Sequence, residues 1–187
     1  MDSIDDILLE ADDKMSKAVE FLNNEFNGLR TGKASPSLVE NVQVDYYGTP
    51  TRLREIANIS TPEPRLIVIS PFDPSSLDDI SKGIQAANLG VTPMSDGRII
   101  RVPIPELSEE RRKEILKVGK RMAEDQRVAV RNIRREANDQ TKTLQKNQTI
   151  TEDDRDSTLE EIQKATDQYI KKIDEMVVEK EKDVMEV

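Results

Sequence analysis

Apolar residues recur every three or four places through the start of the chain, at Ile4, Leu8, Ala11, Met15, Ala18, Leu22, Phe26 and Leu29. That spacing draws one apolar stripe along a helix. Ser3 ahead of the stripe supplies an N-cap, and Asp5 and Asp6 put negative charge where a helix N-terminus favours it. Gly28 and Gly32 bracket its end. A second helix is predicted from Ser108 to about Gln145, with Glu109 and Glu110 in its first turn. At ~1.5 Å per residue it is roughly 55 Å long. A third follows Thr151, where Thr151 and Asp154 have the spacing of a capping box. Its stripe is Leu159, Ile162, Thr166, Tyr169, Ile173 and Met176. Helices with one apolar stripe each can bury it only against one another, so the pattern predicts a three-helix bundle.

Between the first and second helices the pattern changes. Val42-Gln43-Val44-Asp45-Tyr46 reads as a strand running into a turn at Tyr47-Gly48-Thr49-Pro50. Leu66-Ile67-Val68-Ile69 reads as a buried strand, and Arg98 to Val102 as another after the turn Ser95-Asp96-Gly97. Leu77, Ile80, Ile84 and Ala87 have helical spacing between them. All nine prolines and five of the seven glycines fall in residues 30–105. Proline costs about 3 kcal/mol inside a helix, so the proline-free flanks are free to form long ones. The fold class expected is α+β: a bundle of residues 1–30 and 105–187, with a small β/α/β domain of residues 31–104 inserted. The chain crosses between them twice, at Thr31-Gly32 and at Pro103-Ile104-Pro105.

Composition narrows the chemistry. The 187 residues include no cysteine, histidine or tryptophan. Disulfides, Cys/His zinc sites and Cys or His nucleophilic relays are therefore excluded. No apolar run approaches the ~20 residues that a bilayer requires. The acidic start, Met1-Asp2-Ser3-Ile4-Asp5-Asp6, lacks the basic region of a secretory signal and points to the cytoplasm. Gly32-Lys33-Ala34-Ser35 lacks the upstream glycine and preceding strand of a phosphate loop. Glu152-Asp153-Asp154 lacks the glycine and spacing of a calcium loop and reads as a solvated cap. No carboxylate pair is marked out for catalysis, and no cofactor is expected.

Charge is distributed unevenly. The formal total is −9, which by itself argues against a nucleic-acid partner. Yet residues 1–29 sum to −6, residues 30–105 to 0, residues 106–150 to +4 and residues 151–187 to −7. Arg111 to Arg135 holds ten bases against three acids. Wound at about 100° per residue, Lys113, Lys117, Lys120, Arg127, Arg131, Arg134 and Arg135 fall within roughly 60° of one line. Ile115, Val118, Met122, Ala129, Ile133 and Leu144 fall opposite, and Glu124 is the only acid on the cationic line. Two readings stand. One is a solvated face paired with neighbouring acids. The other is a rail for an extended anion, for which phosphates spaced along structured RNA are the physical match. Stacking aromatics are absent from this helix, which disfavours single-strand reading.

Five segments stand out as motifs, beginning with Leu29-Arg30-Thr31-Gly32-Lys33-Ala34-Ser35-Pro36-Ser37-Leu38, Asp45-Tyr46-Tyr47-Gly48-Thr49-Pro50 and Asp96 to Pro103. Leu107 to Lys113 and Arg127 to Asn138 complete the set, which spans the chain. Together they resemble the signature segments of the ribosome recycling factor family. One departure is Lys33, where the family more often has arginine; the charge stays but the guanidinium fork is lost. The resemblance implies a three-helix bundle with an inserted β/α/β domain, hinged into an L shape like that of tRNA. It implies a non-enzymatic, monomeric factor that binds the post-termination ribosome, chiefly large-subunit ribosomal RNA. With elongation factor G and GTP, such a factor splits the ribosome into subunits for a new round of translation.

Carried over by position, the RNA contacts implied are Arg30, Lys33, Arg111, Arg131 and Arg134. The winding argument adds Lys113, Lys117, Lys120, Arg127 and Arg135. The hinge implied is Thr31, Gly32, Pro103, Ile104 and Pro105, proline stiffening one crossing and glycine loosening the other. Two other functions remain open on the residues alone. One is a helical scaffold that binds protein through the bundle, and the other is a carboxylate enzyme.

Overall fold

The structure, a computed structural model, describes residues 3–186. The chain forms two compact units, one of the described residues up to Leu29 together with those from Glu110 onward, the other of Arg30–Glu109.

The larger unit is three helices. Helix α1 spans Ile4–Gly28 and is capped by the Ser3 hydroxyl, which accepts from the Asp6 N–H. Its buried stripe is Ile7, Ala11, Met15, Ala18, Leu22 and Phe26. Ile7 takes the interior place expected for Ile4 and Leu8, which are only half-buried. The other two long helices lie far along the chain, at Glu109–Lys146 and Glu152–Met185. The last opens on the expected capping box: the Thr151 hydroxyl accepts from the Asp154 N–H at 3.0 Å, and the Asp154 carboxylate accepts from the Thr151 N–H at 3.1 Å.

Two apolar clusters run along the bundle. Met15, Leu22, Phe26, Ala123, Val130, Tyr169 and Ile173 form one, and Ile7, Ala11, Ala137, Leu144 and Ile162 the other. Three threonines, Thr141, Thr158 and Thr166, are also buried. Each hydroxyl donates to the carbonyl four residues back, at 2.8, 2.7 and 2.7 Å, so no polar group is stranded in the interior at those positions.

The smaller unit begins with a hairpin, β1 (Gln43–Tyr46) against β2 (Thr49–Arg52), followed by the single helical turn α2 (Leu53–Ile56). Tyr47 and Gly48 at the tip have φ of 50° and 80°, the two positive values a tight two-residue hairpin turn requires. Strands β3 (Ala57–Glu63), β4 (Leu66–Pro71), β5 (Met94–Ser95) and β6 (Ile100–Pro103) form an antiparallel sheet in the order β3-β4-β6-β5. Helix α3, Leu77–Ala86, lies in the crossover between β4 and the β5–β6 pair. Its Leu77, Ile80 and Ile84 share one buried cluster with Ile67, Ile69, Ile100 and Val102. We number the two remaining long helices α4 (Glu109–Lys146) and α5 (Glu152–Met185).

Strands β2, β3 and β5 were not expected from the pattern. Pro50 lies in β2 and Pro62 in β3. Both strands lie at the margin of their sheet, where a missing N–H is tolerated. Long helices plus a small sheet unit with one packed helix match the fold class expected.

Candidate nucleic-acid interface

The cationic residues of the rail all lie on α4, but the helix is turned from the orientation expected. Its buried positions are Ile115, Gly119, Ala123, Val130, Ala137, Thr141 and Leu144. On a helical wheel these centre about 60° away from the line opposite the cations. Val118, on the face expected to pack inward, is instead 40% exposed. Small residues face the interior because α1 and α5 bring larger side chains to the same space. The Gly119 position, for instance, has Leu29 and Phe26 carbons 3.7 and 3.9 Å from where a Cβ would stand.

This turn brings one edge of the rail against α5. Lys113, Lys120, Arg127 and Arg134 recur every seven residues, a spacing that stays nearly on one line along a helix. Lys120 pairs with Glu181 at 3.0 Å and Arg127 with Asp174 at 2.7 Å, seven residues apart on both helices. Arg134 completes the series on a neutral group, its Nη1 donating to Gln163 Oε1 at 3.3 Å. Gln163 in turn donates to Asp167 at 2.8 Å. The reading in which acids neutralise the face therefore holds for part of the rail. Glu181 and Asp174 come from α5, and no winding of α4 alone could reveal those two partners.

The pairs differ in how tightly they hold. The Arg127 side chain is only 21% exposed and bonds both Asp174 and Glu124. Burial pushes its pKa down, but the bonds to Asp174 and Glu124 outweigh burial and the net shift is upward. Lys120 is 63% exposed, and such surface pairs contribute about 0–1 kcal/mol. A phosphate can compete for Lys120 far more easily than for Arg127.

Glu124 bridges the centre of the rail. Its two oxygens accept from Arg131 Nη1 and Arg127 Nη1, each at 3.1 Å. These bonds, with Arg131 first, hold the Glu124 carboxyl below the usual carboxylate range. Arg131 is thus presented by its neighbour rather than locked into α5. Lys117 and Arg135 are exposed. At the start of α4, Arg111 Nη1 donates to Glu114 at 2.9 Å.

The remaining positions lie in the smaller unit. Arg30 is exposed and groups with that unit, its guanidinium 3.4 Å from where a Cβ on Gly90 would stand. Lys33 is half-buried. Gly32 has φ +79°, a left-handed conformation, with Leu107 carbons 3.3 Å from its missing Cβ. Pro103 ends β6 opposite Leu66, and the Ile104 N–H donates to the Arg65 carbonyl at 2.8 Å. Beside them the Ala34 N–H donates to the Pro64 carbonyl at 2.7 Å, and Arg65 pairs with Glu106. Both chain crossings are therefore held against the β3–β4 turn of the small unit.

A three-helix bundle with a cationic edge on its longest helix, joined twice to a small antiparallel sheet unit, defines the class: a long helical bundle with an inserted sheet-and-helix unit. The family model of ribosome recycling factors matches residues 22–185. The ribosome-recycling factor of Bacillus licheniformis is 51% identical over 181 residues, covering 97% of this chain and 98% of that protein. That of Staphylococcus haemolyticus is 52% identical over 182 residues, covering 97% and 99%. A solution structure of a ribosome recycling factor superposes with a TM-score of 0.78 at 40% identity, covering both chains completely. The T. thermophilus factor, described with E. coli elongation factor G on the E. coli post-termination complex, gives 0.67 at 38% identity, covering 98% of this chain and all of that one. The chain belongs to the ribosome recycling factor family.

Proposed function

We propose that this protein binds the post-termination ribosome through large-subunit ribosomal RNA and, with elongation factor G and GTP, promotes its splitting into subunits. It acts as a mechanical adaptor in the cytoplasm, and the GTP chemistry belongs to the elongation factor. The T. thermophilus relative, described on a post-termination complex with elongation factor G, supports the choice of partners. The observation that carries the RNA contact is the α4 edge, where, among the described residues, Arg131 holds one exposed carboxylate and Arg134 one neutral amide. A guanidinium in that situation exchanges its partner for a phosphate without leaving a buried charge behind.

The RNA-binding set is Arg131 and Arg134 first, with Lys117, Arg135, Lys120 and Lys113 extending it along α4. Arg111, Arg30 and Lys33 add contacts beyond that line, and Arg127 serves mainly to join α4 to α5. The acidic α1 and α5 repel RNA, so the bundle docks by one side only. The small unit moves with its crossing segments Thr31-Gly32 and Pro103-Ile104-Pro105, and the pivots lie on their bundle side, next to Leu29–Arg30 and Glu109–Glu110.

The test is binding to purified large ribosomal subunits across a salt series. Arg131→Ala with Arg134→Ala should weaken binding and make the dependence of log affinity on log salt shallower by about one unit per cation removed. An unchanged slope removes the RNA reading and favours a scaffold that binds protein.

A further inference from the structure

Glu124 is the one acid on the cationic line, and it does not merely interrupt it. Its carboxylate accepts one bond from Arg131 and one from Arg127, with oxygen-to-nitrogen distances of 3.1 Å for both. The two arginines are not equivalent. Arg127 keeps a second carboxylate, Asp174, at 2.9 Å through Nε and 2.7 Å through Nη2. For Arg131 the Glu124 oxygen is the carboxylate contact, and its side chain is 38% exposed. A carboxylate that accepts from a guanidinium occupies the place a phosphate oxygen takes, because both are anionic acceptors for the same N–H fork.

We propose that Glu124 is a built-in stand-in for an RNA backbone phosphate, holding Arg131 in a binding geometry and yielding it when RNA arrives. The exchange is inexpensive by construction. Glu124 is 53% exposed, so it rehydrates when Arg131 leaves, and it retains Arg127 as a counter-charge. Arg131 meanwhile trades one charge-assisted bond for another. The negative charge left beside the RNA backbone opposes binding, so Glu124 limits affinity and hastens release. A factor that must leave the ribosome after each round gains from such a limit. This inference rests on the RNA reading of α4 above.

Glu124→Gln keeps an acceptor for Arg127 and removes the charge. Asp125→Asn is the comparison, since it removes the same charge from an exposed neighbour about 100° further round the helix. Binding to purified large subunits should tighten roughly two- to fivefold in Glu124→Gln, the range an exposed ion pair supports, and clearly less in Asp125→Asn. The dissociation rate should fall to match. In an Arg131→Ala background, Glu124→Gln should gain no more than Asp125→Asn does, because the exchange runs through Arg131. Equal gains from the two substitutions in the otherwise unaltered protein would show a simple net-charge effect and overturn the proposal. So would weaker binding by a Glu124→Gln protein whose circular dichroism and melting temperature match those of the parent. If Arg131→Ala itself leaves affinity and salt slope unchanged, the RNA reading of α4 fails, and this inference with it. If Arg131→Ala weakens binding but Glu124→Gln adds nothing beyond Asp125→Asn, this inference alone fails.

Discussion

The Tyr169 hydroxyl donates a 2.6 Å hydrogen bond to the Asp12 carboxylate, tying α5 to α1 across 157 residues of chain. The ring lies in the larger apolar cluster of the bundle, and Lys172 Nζ stands 5.0 Å from its centroid. One side chain thus combines a packed ring with a polar end that reaches the surface.

Tyr169→Phe should cost about 1 kcal/mol, the net contribution of a hydrogen bond whose partner Asp12 is exposed and can be rehydrated. The pH dependence is more diagnostic. Burial first, then the bond to Asp12, raise the Tyr169 pKa from 10 to about 12. A group whose pKa is raised by folding stabilises the native state fully below its unfolded pKa and loses that contribution as pH climbs to the folded value. Between pH 10 and about 12 the parent protein should therefore lose stability that Tyr169→Phe does not lose. Denaturant unfolding of both at pH 8 and pH 11 measures the difference. Parallel losses in the two would refute the coupling.

Arg127 and Arg134 sit seven residues apart on the same edge of α4, yet they should fail differently. Arg127→Ala removes a half-buried guanidinium shared by Asp174 and Glu124, so it should lower stability by about 1–2 kcal/mol. Among the described residues Arg134 bonds the neutral amide oxygen of Gln163, so Arg134→Ala should leave stability within about 0.5 kcal/mol. Large-subunit affinity should respond in the opposite order. Thermal unfolding and salt-dependent binding of the two variants separate these roles.

Thr151→Ala removes half of the capping box that opens α5. The Asp154 N–H loses its acceptor, and the cost should be about 1 kcal/mol, read from the urea midpoint at constant m-value. Asp154→Ala should cost a similar amount, and the double variant less than the sum, because the two bonds share one turn.

Gly83→Ala sets two effects against each other. Alanine in a helix interior is favoured over glycine by about 1 kcal/mol. The added Cβ, however, would stand 3.0 Å from the Gln43 carbonyl oxygen and 3.1 Å from a Val44 methyl. A strand backbone yields less readily than a flexible side chain, and overpacking costs about 1–3 kcal/mol. The net should be destabilising for the small unit. Protection of the β1 amides in hydrogen exchange should fall, while that of α5 should not.

Much of the bundle was legible along the chain because a helix writes its own period into sequence. The Ser3 cap, the Thr151–Asp154 box and the α5 positions Ile162, Thr166, Tyr169 and Ile173 are all local, and the structure has them where that period puts them. Strands are less local. Thr49–Arg52, Ala57–Glu63 and Met94–Ser95 contain proline or polar residues, carry no apolar period of their own, and are strands because they pair with the adjacent strands β1, β4 and β6. The α4 face was legible only in part. Ile115 and Leu144 are buried and Met122 and Ile133 pack against the core, but Val118 is exposed, because a close-packed helix also turns its small residues inward. The signal present was Gly119, the one glycine in the chain's last 82 residues, with Ala123 and Ala137 on the same side.

The sequence by itself determined that α4 carries a dense set of cations between two acidic helices, since composition and period depend only on the order of residues. Only the tertiary structure decided which of those cations are already engaged. Glu181 and Asp174 meet Lys120 and Arg127 from a different helix, and Gln163 rather than an acid meets Arg134. Charge along one helix is a one-dimensional property, whereas neutralisation depends on what a second helix brings within about 4 Å.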